Sequence, residues 1–156
     1  MRIEPPEFDE TAAIADLWVA LARGQRAFGS HLASETNRER IEEAIGRHIA
    51  DGNLLVARSD GAVVGFAMFA VEYRLYDVDT VRGIIHNLFV VPDRRGEGIG
   101  SKLLERAEET LRKKGAAAIG LEVLAANEAA RRFYSAHDYR PHRIELEKRV
   151  ETDNTP

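Results

Sequence analysis

Residues 94–101 read Arg94-Arg95-Gly96-Glu97-Gly98-Ile99-Gly100-Ser101 and lie between an apolar run, residues 83–91, and an amphipathic stretch that begins near Gly98. Backbone N–H groups at a helix start have no intrahelical acceptor, and the helix dipole favours negative charge there. Glycines at 96, 98 and 100 leave no side chain to hold an anion away from those amides, while Arg94 and Arg95 add positive charge beside them. A diphosphate suits this chemistry. The plainer alternative is a turn softened by glycine with two solvated arginines, and three alternating glycines at a strand-to-helix junction weigh against it. Two other phosphate loops do not fit. A Walker loop needs Lys directly after its last glycine, where Ser101 intervenes before Lys102, and a dinucleotide fingerprint needs a third glycine at Ser101.

Groups able to move a proton are scattered around this loop. His86 falls in the apolar run, and an ordinary histidine pKa of about 6.5 suits proton removal near neutrality, although a lone strand histidine is more often a packing residue. Glu72 and Glu122 are the other candidates, each also readable as a solvated or salt-bridged carboxylate, and a water chain would serve as well. There is no cysteine, which excludes disulfides, thiolate zinc sites and a covalent cysteine intermediate.

The elements that must carry these groups follow from the pattern. Arg2 to Glu4 reads as a short strand ended by Pro5 and Pro6. Asp9 is placed to cap a helix whose Ile14, Leu17, Trp18 and Leu21 recur at helical spacing. Residues 23–33 read as a loop before a second helix carrying Ile41, Ala44, Ile45 and Ile49, stopped by Gly52. Residues 53–58 and 62–73 form two antiparallel strands joined at Ser59-Asp60-Gly61. Residues 83–91 form a strand covered on both faces. A third helix with Ile99, Leu103, Leu104, Ala107 and Leu111 closes at Gly115. A strand over 117–124, a helix over 127–136 and a last strand over 144–150, with Ile144, Leu146, Lys148 and Val150 on one face, complete the order. A mixed α/β sheet with helices on both faces is the economical arrangement.

Length and composition agree. The chain of 156 residues has 44% apolar and 31% charged residues, enough for one folded domain over 1–150, with a polar tail over 151–156. With 22 Lys+Arg against 26 Asp+Glu the net charge is -4, so no global field favours a nucleic-acid partner. Arg94, Arg95, Arg112, Lys113, Lys114, Arg131 and Arg132 interleave with Glu105, Glu108 and Glu109, the pattern of a solvated surface. The longest stretch free of strongly polar residues, Val63 to Val71, is far below the roughly 18 to 20 residues of a membrane span. The acidic, proline-bearing start does not read as a secretion signal, so a cytoplasmic protein is expected.

The loop also spells R-x-x-G-x-G from Arg95 through Gly98 to Gly100, after Leu88-Phe89-Val90-Val91-Pro92. This resembles the acetyl-CoA loop of the GNAT N-acetyltransferase superfamily. Asn127, Ala130, Phe133-Tyr134 and Tyr139 look like that family's N-x-x-A-x-x-F-Y segment. Residues 63–69 and 84–104 are most similar to the polyamine (diamine) acetyltransferase branch, with His86-Asn87 where that branch usually has an acidic pair and Asp138 where the family tends to have glycine.

The resemblance implies an acyl-CoA N-acyltransferase fold with a mostly antiparallel sheet of six to seven strands and about four helices. It implies acetyl-CoA as cosubstrate without a metal, and direct acetyl transfer to a primary amine of a polyamine, amino acid or protein. It implies that Leu88, Phe89 and Val90 offer backbone to the pantetheine arm, and that Arg94, Arg95, Gly96, Glu97, Gly98, Ile99, Gly100 and Ser101 hold the pyrophosphate. Asn127 and Ala130 then lie along the arm, Tyr134 returns a proton to the thiolate, and His86, Glu72 or Glu122 serves as base. A non-catalytic acyl-CoA-binding module on the same fold is the alternative, and the resemblance leaves a homodimer open, dimers being common among relatives.

Overall fold

The computed structural model describes residues 1–151. Five strands form one sheet: β1 (Arg2–Glu4), β2 (Leu54–Ser59), β3 (Ala62–Val71), β4 (Arg82–Val90) and β5 (Ala118–Leu121), arranged in chain order. The first four pair antiparallel and β4 pairs parallel with β5. β2 and β3 are joined at Asp60 and Gly61, with φ of 51° and 80°, the left-handed turn whose twist matches a hairpin.

Four helices cover the sheet: α1 (Thr11–Gln25), α2 (Arg38–Ala50), α3 (Ile99–Lys113) and α4 (Glu128–Ala136). Because β2, β3 and β4 alternate apolar side chains to both faces, the sheet separates two cores. On one face Ile14, Trp18 and Ile45 of α1 and α2 pack on Val56, Phe66 and Phe89. On the other, Leu103, Leu104 and Leu111 of α3 pack on Ala67, Phe69 and Ile85, with Phe133, Tyr134 and Tyr139 at the margin. The connection from β4 through α3 to β5 is the parallel crossover that brings the glycine loop to the end of β4.

The mixed α/β sheet flanked by four helices is as expected, and several details differ. Asp9 does not cap α1. A 3-10 turn over Phe8–Glu10 comes first, and the Glu10 carboxylate accepts from the Glu7 N–H at 2.9 Å, so that end is already satisfied. α1 runs on through the expected loop to Gln25 and into a 3-10 turn at Arg26–Phe28. β5 stops at Leu121, short of the expected 124. The sheet has five strands among the described residues rather than six or seven, because residues 144–150 join no ladder. Ile144, Leu146 and Val150 are 79%, 89% and 78% exposed, so their alternation has no partner among the described residues. Of the polar tail, residues 152–156 lie outside the described residues.

Candidate active site

β4 changes character half way along. Its first half is paired on both sides: Gly83, Ile84 and Ile85 face Val71, Ala70 and Phe69 on β3, and Arg82 to Ile85 face Ala118 to Leu121 on β5. The register with β3 then slips, Met68 facing Asn87 and Phe69 facing Ile85, which leaves His86 as the extra residue of a β-bulge. A bulge bends its strand and re-aims the side chain it carries. Beyond Ile85 no residue of β4 pairs with β5, so from His86 to Val90 the edge on that side is open. Phe89 and Val90 meanwhile keep their side chains buried in opposite cores and Leu88 packs at the margin of the α3 core.

The glycine loop opens at the end of this free edge. After a 3-10 turn at Pro92–Arg94, Gly96 and Gly98 take φ of 81° and 82°, left-handed values that favour glycine, and Gly98 is the N-cap of α3. Among the described residues nothing lies within 4 Å of where a Cβ would stand at either residue. Gly100 serves differently, since a Cβ there would meet the Phe133 ring at 3.6 Å. The first loop-to-helix bond runs from the Lys102 N–H to the Gly98 carbonyl, and none of the amides from Gly96 to Ser101 has a protein acceptor among the described residues.

The two arginines are employed by the protein itself. Arg94 donates to the Glu97 carboxylate at 3.0 and 3.3 Å, and Arg95 turns back to donate to the Val90 carbonyl at 2.8 Å with its guanidinium 5.4 Å from the Phe89 ring centroid. Arg95 thereby ties the loop to the open half of β4. The anion-binding capacity resides chiefly in the peptide amides.

α4 forms the opposite wall. Asn127 caps it, its Oδ1 accepting from the Ala130 N–H at 3.1 Å. Tyr134 packs edge-on against Phe133 and Tyr139, and burial pushes its phenol up to about 12. Tyr139 donates to Glu108 at 2.8 Å, and Asp138 adopts φ of 68°, the left-handed conformation aspartate tolerates. Ser101 and His137 Nε2 lie 2.9 Å apart, fastening the first turn of α3 to the end of α4. His137 has no sequence signal for this role, because its partner belongs to a different helix.

His86 stands on the α2 side of the bulge with its ring 5.9 Å from that of His48, edge to face. His86 keeps an accessible surface, yet the protein around its ring disfavours charge, and neighbouring His48 adds to this. Its pKa is held below the ordinary histidine value, with Glu122 pulling the other way. The His48 Nδ1 is 2.7 Å from the Ala44 carbonyl, which makes it a donor and leaves Nε2 as the free nitrogen. His48 was not singled out by the sequence, where it reads as one more polar residue of an amphipathic helix.

The carboxylate candidates separate. Glu72 is bound by Arg74 and, at 3.3 Å, by Arg82, and hydrogen bonding to Arg74 holds its pKa below the usual carboxylate range. Glu122 is exposed one residue past the end of β5 and acts on His86 through space. His86 begins the open stretch of β4 and feels the Glu122 charge, while Glu72 is committed to arginine.

The site thus combines an open strand edge, six amides without a protein acceptor among the described residues and a half-buried phenol. The sequence profile of the Acetyltransferase (GNAT) family matches residues 18–139. An uncharacterized N-acetyltransferase of Archaeoglobus fulgidus is 41% identical over 88 residues, 56% of this chain and 59% of that protein. An aminoalkylphosphonate N-acetyltransferase of Salmonella typhimurium is 31% identical over 70% of this chain and 71% of its own length. Among solved structures, a GCN5-related N-acetyltransferase of Ralstonia eutropha superposes with a TM-score of 0.73 at 23% identity, covering 96% of this chain and 97% of that one. An aminoglycoside N-acetyltransferase in complex with CoA superposes with a TM-score of 0.71 at 14% identity, over 97% and 95%. The chain belongs to the GNAT family of N-acetyltransferases.

Proposed function

We propose that this protein transfers the acetyl group of acetyl-CoA directly to a primary amine. The observation that carries the reading is the row of unpartnered amides from Gly96 to Ser101 at the end of the open half of β4. These amides suit the diphosphate, with the Arg94 and Arg95 charges close by, and the backbone of Leu88, Phe89 and Val90 suits the amide-bearing arm. Asn127 and Ala130 border that arm from α4.

The amine nitrogen attacks the thioester carbonyl, the C–S bond breaks, and sulfur leaves with a proton, giving an N-acetyl amine and the free thiol. A lysine-like amine has a pKa of about 10.4, so presenting its free base at neutral pH corresponds to about 4 kcal/mol. His86 is the base we assign, because its lowered pKa keeps it neutral near pH 7 and the bulge presents it at the mouth of the site. Glu122 tunes it, and Glu72, held by two arginines, is the weaker candidate.

Tyr134 is assigned to the leaving sulfur. A phenol at about 12 stays fully protonated and so donates a hydrogen bond. Full transfer to a thiolate of ordinary pKa near 8.5 would be uphill by about 5 kcal/mol, so the phenol stabilises developing charge while the net proton comes from the amine. The acceptor lies on the side of α1, α2 and the loop over 72–81, where Tyr73 and Tyr76 are exposed beside Asp77 and Asp79, a composition suited to a cationic amine. The polyamine-like pattern of the sequence points the same way. We place the reaction in the cytoplasm, where acetyl-CoA is made available; no described helix is long and apolar enough to cross a membrane.

The test is a panel of polyamines, amino acids, aminoglycosides, aminoalkylphosphonates and peptides incubated with acetyl-CoA, read by thiol release and acetylated mass. Turnover with an amine is expected. Tight CoA binding without turnover on any amine would demote the protein to an acyl-CoA-binding module, and absence of CoA binding by calorimetry would overturn the reading altogether.

A further inference from the structure

Side chains of α4 and of the residues just past its end reach the start of α3. His137 Nε2 lies 2.9 Å from the Ser101 hydroxyl in a part-buried hydrogen bond, and the Phe133 ring stands 3.6 Å from where a Gly100 Cβ would be. The rings of Phe133 and His137 also pack on each other, with centroids 4.8 Å apart. About two turns further along α3, the Tyr139 hydroxyl donates to Glu108 at 2.8 Å. The end of α4 is therefore fastened to α3 at two levels, and the first of them falls on the glycine loop itself.

Tyr134 hangs between these fastenings. Its carbonyl accepts from the N–H of His137 and from the N–H of Tyr139, each at 3.0 Å, and its ring meets Phe133 edge-on. The three residues that touch α3 are thus each bonded to Tyr134 or packed on it. A serine hydroxyl beside a histidine nitrogen also suits a nucleophile, but that role needs a third group to orient the imidazole, and no residue among those described bonds to His137 Nδ1. The pair is a fastening, and it holds in either tautomer because a hydroxyl both donates and accepts.

We propose that His137 is a positioning residue: through its bond to Ser101 it fixes the Tyr134 phenol relative to the amides assigned to the diphosphate. A donor anchored at one end of the site then presents its sulfur to the phenol at the other. The inference rests on the acetyl-transfer reading, which assigns those two ends. Binding energy from a remote part of a substrate raises the rate only when the protein holds anchor and reacting groups in one frame. Along the chain, Ser101 and Tyr134 are separated by most of α3, by β5 and by the start of α4. Through His137 the path is one side-chain hydrogen bond and one main-chain hydrogen bond.

The test compares acetyl-CoA with S-acetylpantetheine, a donor that lacks the diphosphate, using an amine that the wild type acetylates. His137→Leu keeps an apolar body against Phe133 and removes Nε2. Its single-turnover rate with acetyl-CoA should fall about 10-fold, with CoA affinity within about threefold of wild type. Its rate with S-acetylpantetheine should stay within about twofold, because that donor has no anchor whose position needs relaying. Ser101→Ala should lose a similar factor with acetyl-CoA, and the double variant should lose no more than either alone. His137→Gln, whose amide retains a hydrogen-bonding group, should recover most of the rate. An equal loss with both donors would make His137 a structural residue and overturn the proposal, and so would no loss or fully additive losses. Should His137→Leu fold poorly by circular dichroism, the same two-donor comparison on Ser101→Ala decides the matter. Absence of wild-type turnover on any amine is a different failure, which would overturn the acetyl-transfer reading and this inference with it.

Discussion

The two halves of β4 are continuous in sequence and opposite in use. From Arg82 to Ile85 the strand is paired on both sides, and Gly83 is pressed so closely by Leu111 that a Cβ would come within 2.8 Å of it. From His86 to Val90 the strand has no partner on the β5 side among the described residues, and the glycines that follow, Gly96 and Gly98, have none of those residues within 4 Å of where a Cβ would stand. Glycine in the first half permits close packing, whereas in the loop it supplies left-handed turns and keeps the amides accessible. One half has its backbone polarity satisfied on both sides and the other has it satisfied on one, with a single bulged residue dividing them.

The sharpest way to break this contrast is to put charge on the open side. Gly98→Asp places a carboxylate among the free amides and strains a left-handed position, so CoA affinity should fall about 100-fold or more, while the melting temperature drops by only a few degrees. Calorimetry and thermal unfolding of the same variant separate the two. An unchanged affinity would mean that the amides do not hold the diphosphate. Next in size is Tyr134→Phe, which keeps the ring packing against Phe133 and Tyr139 and removes the hydroxyl. Turnover should fall about 100-fold, with CoA affinity within about threefold, because the phenol is assigned to charge that develops only during reaction. A single-turnover rate equal to wild type would release Tyr134 from the chemistry.

The division between the halves is also where sequence reading reached its limit. The run from Gly83 to Val91 shows a strand at once, but both faces of it are buried, so apolar residues occur without a clear period and a one-residue slip at His86 leaves no trace. The loop was legible because glycine spacing and a strand-to-helix junction are local properties. The inward turn of Arg95 to Val90, the pairing of His48 with His86 and the meeting of Ser101 with His137 join distant segments, and no local pattern encodes them. The alternation of residues 144–150 spells a strand, yet none forms there. Whether a strand forms depends on an available edge, which is a property of the assembled sheet.

His86 allows a finer test of the open half, because its two charged neighbours pull in opposite directions. Its folded pKa lies below the ordinary value near 6.5, so the neutral base should persist below that pH, and kcat at saturating amine should fall only as pH drops through the lower value. The sign for stability agrees. Below about 6.5 the unfolded chain binds the proton first, so the fold loses stability as pH falls through the folded pKa. His48→Gln removes the like charge and should move the acidic limb to higher pH, whereas Glu122→Gln removes the opposite charge and should move it to lower pH. Shifts in the same direction, or a limb that persists in His86→Gln, would assign the base elsewhere.

The smallest effect on chemistry belongs to the paired half. Gly83→Ala forces a methyl against Leu111, whose nearest carbons lie at 2.8 and 3.0 Å from the ideal Cβ, and Leu111 is fully buried in the α3 core. Overpacking of this kind costs about 1 to 3 kcal/mol, which denaturant unfolding should show as a lower midpoint at unchanged slope. Because β5 pairs there on the far side, the strain is taken up between β4 and α3, and CoA affinity and kcat should stay within about twofold of wild type. If Gly83→Ala instead weakened CoA binding as strongly as Gly98→Asp, strain would be passing through the bulge, and His86 would have to be regarded as a coupling between the halves rather than a break.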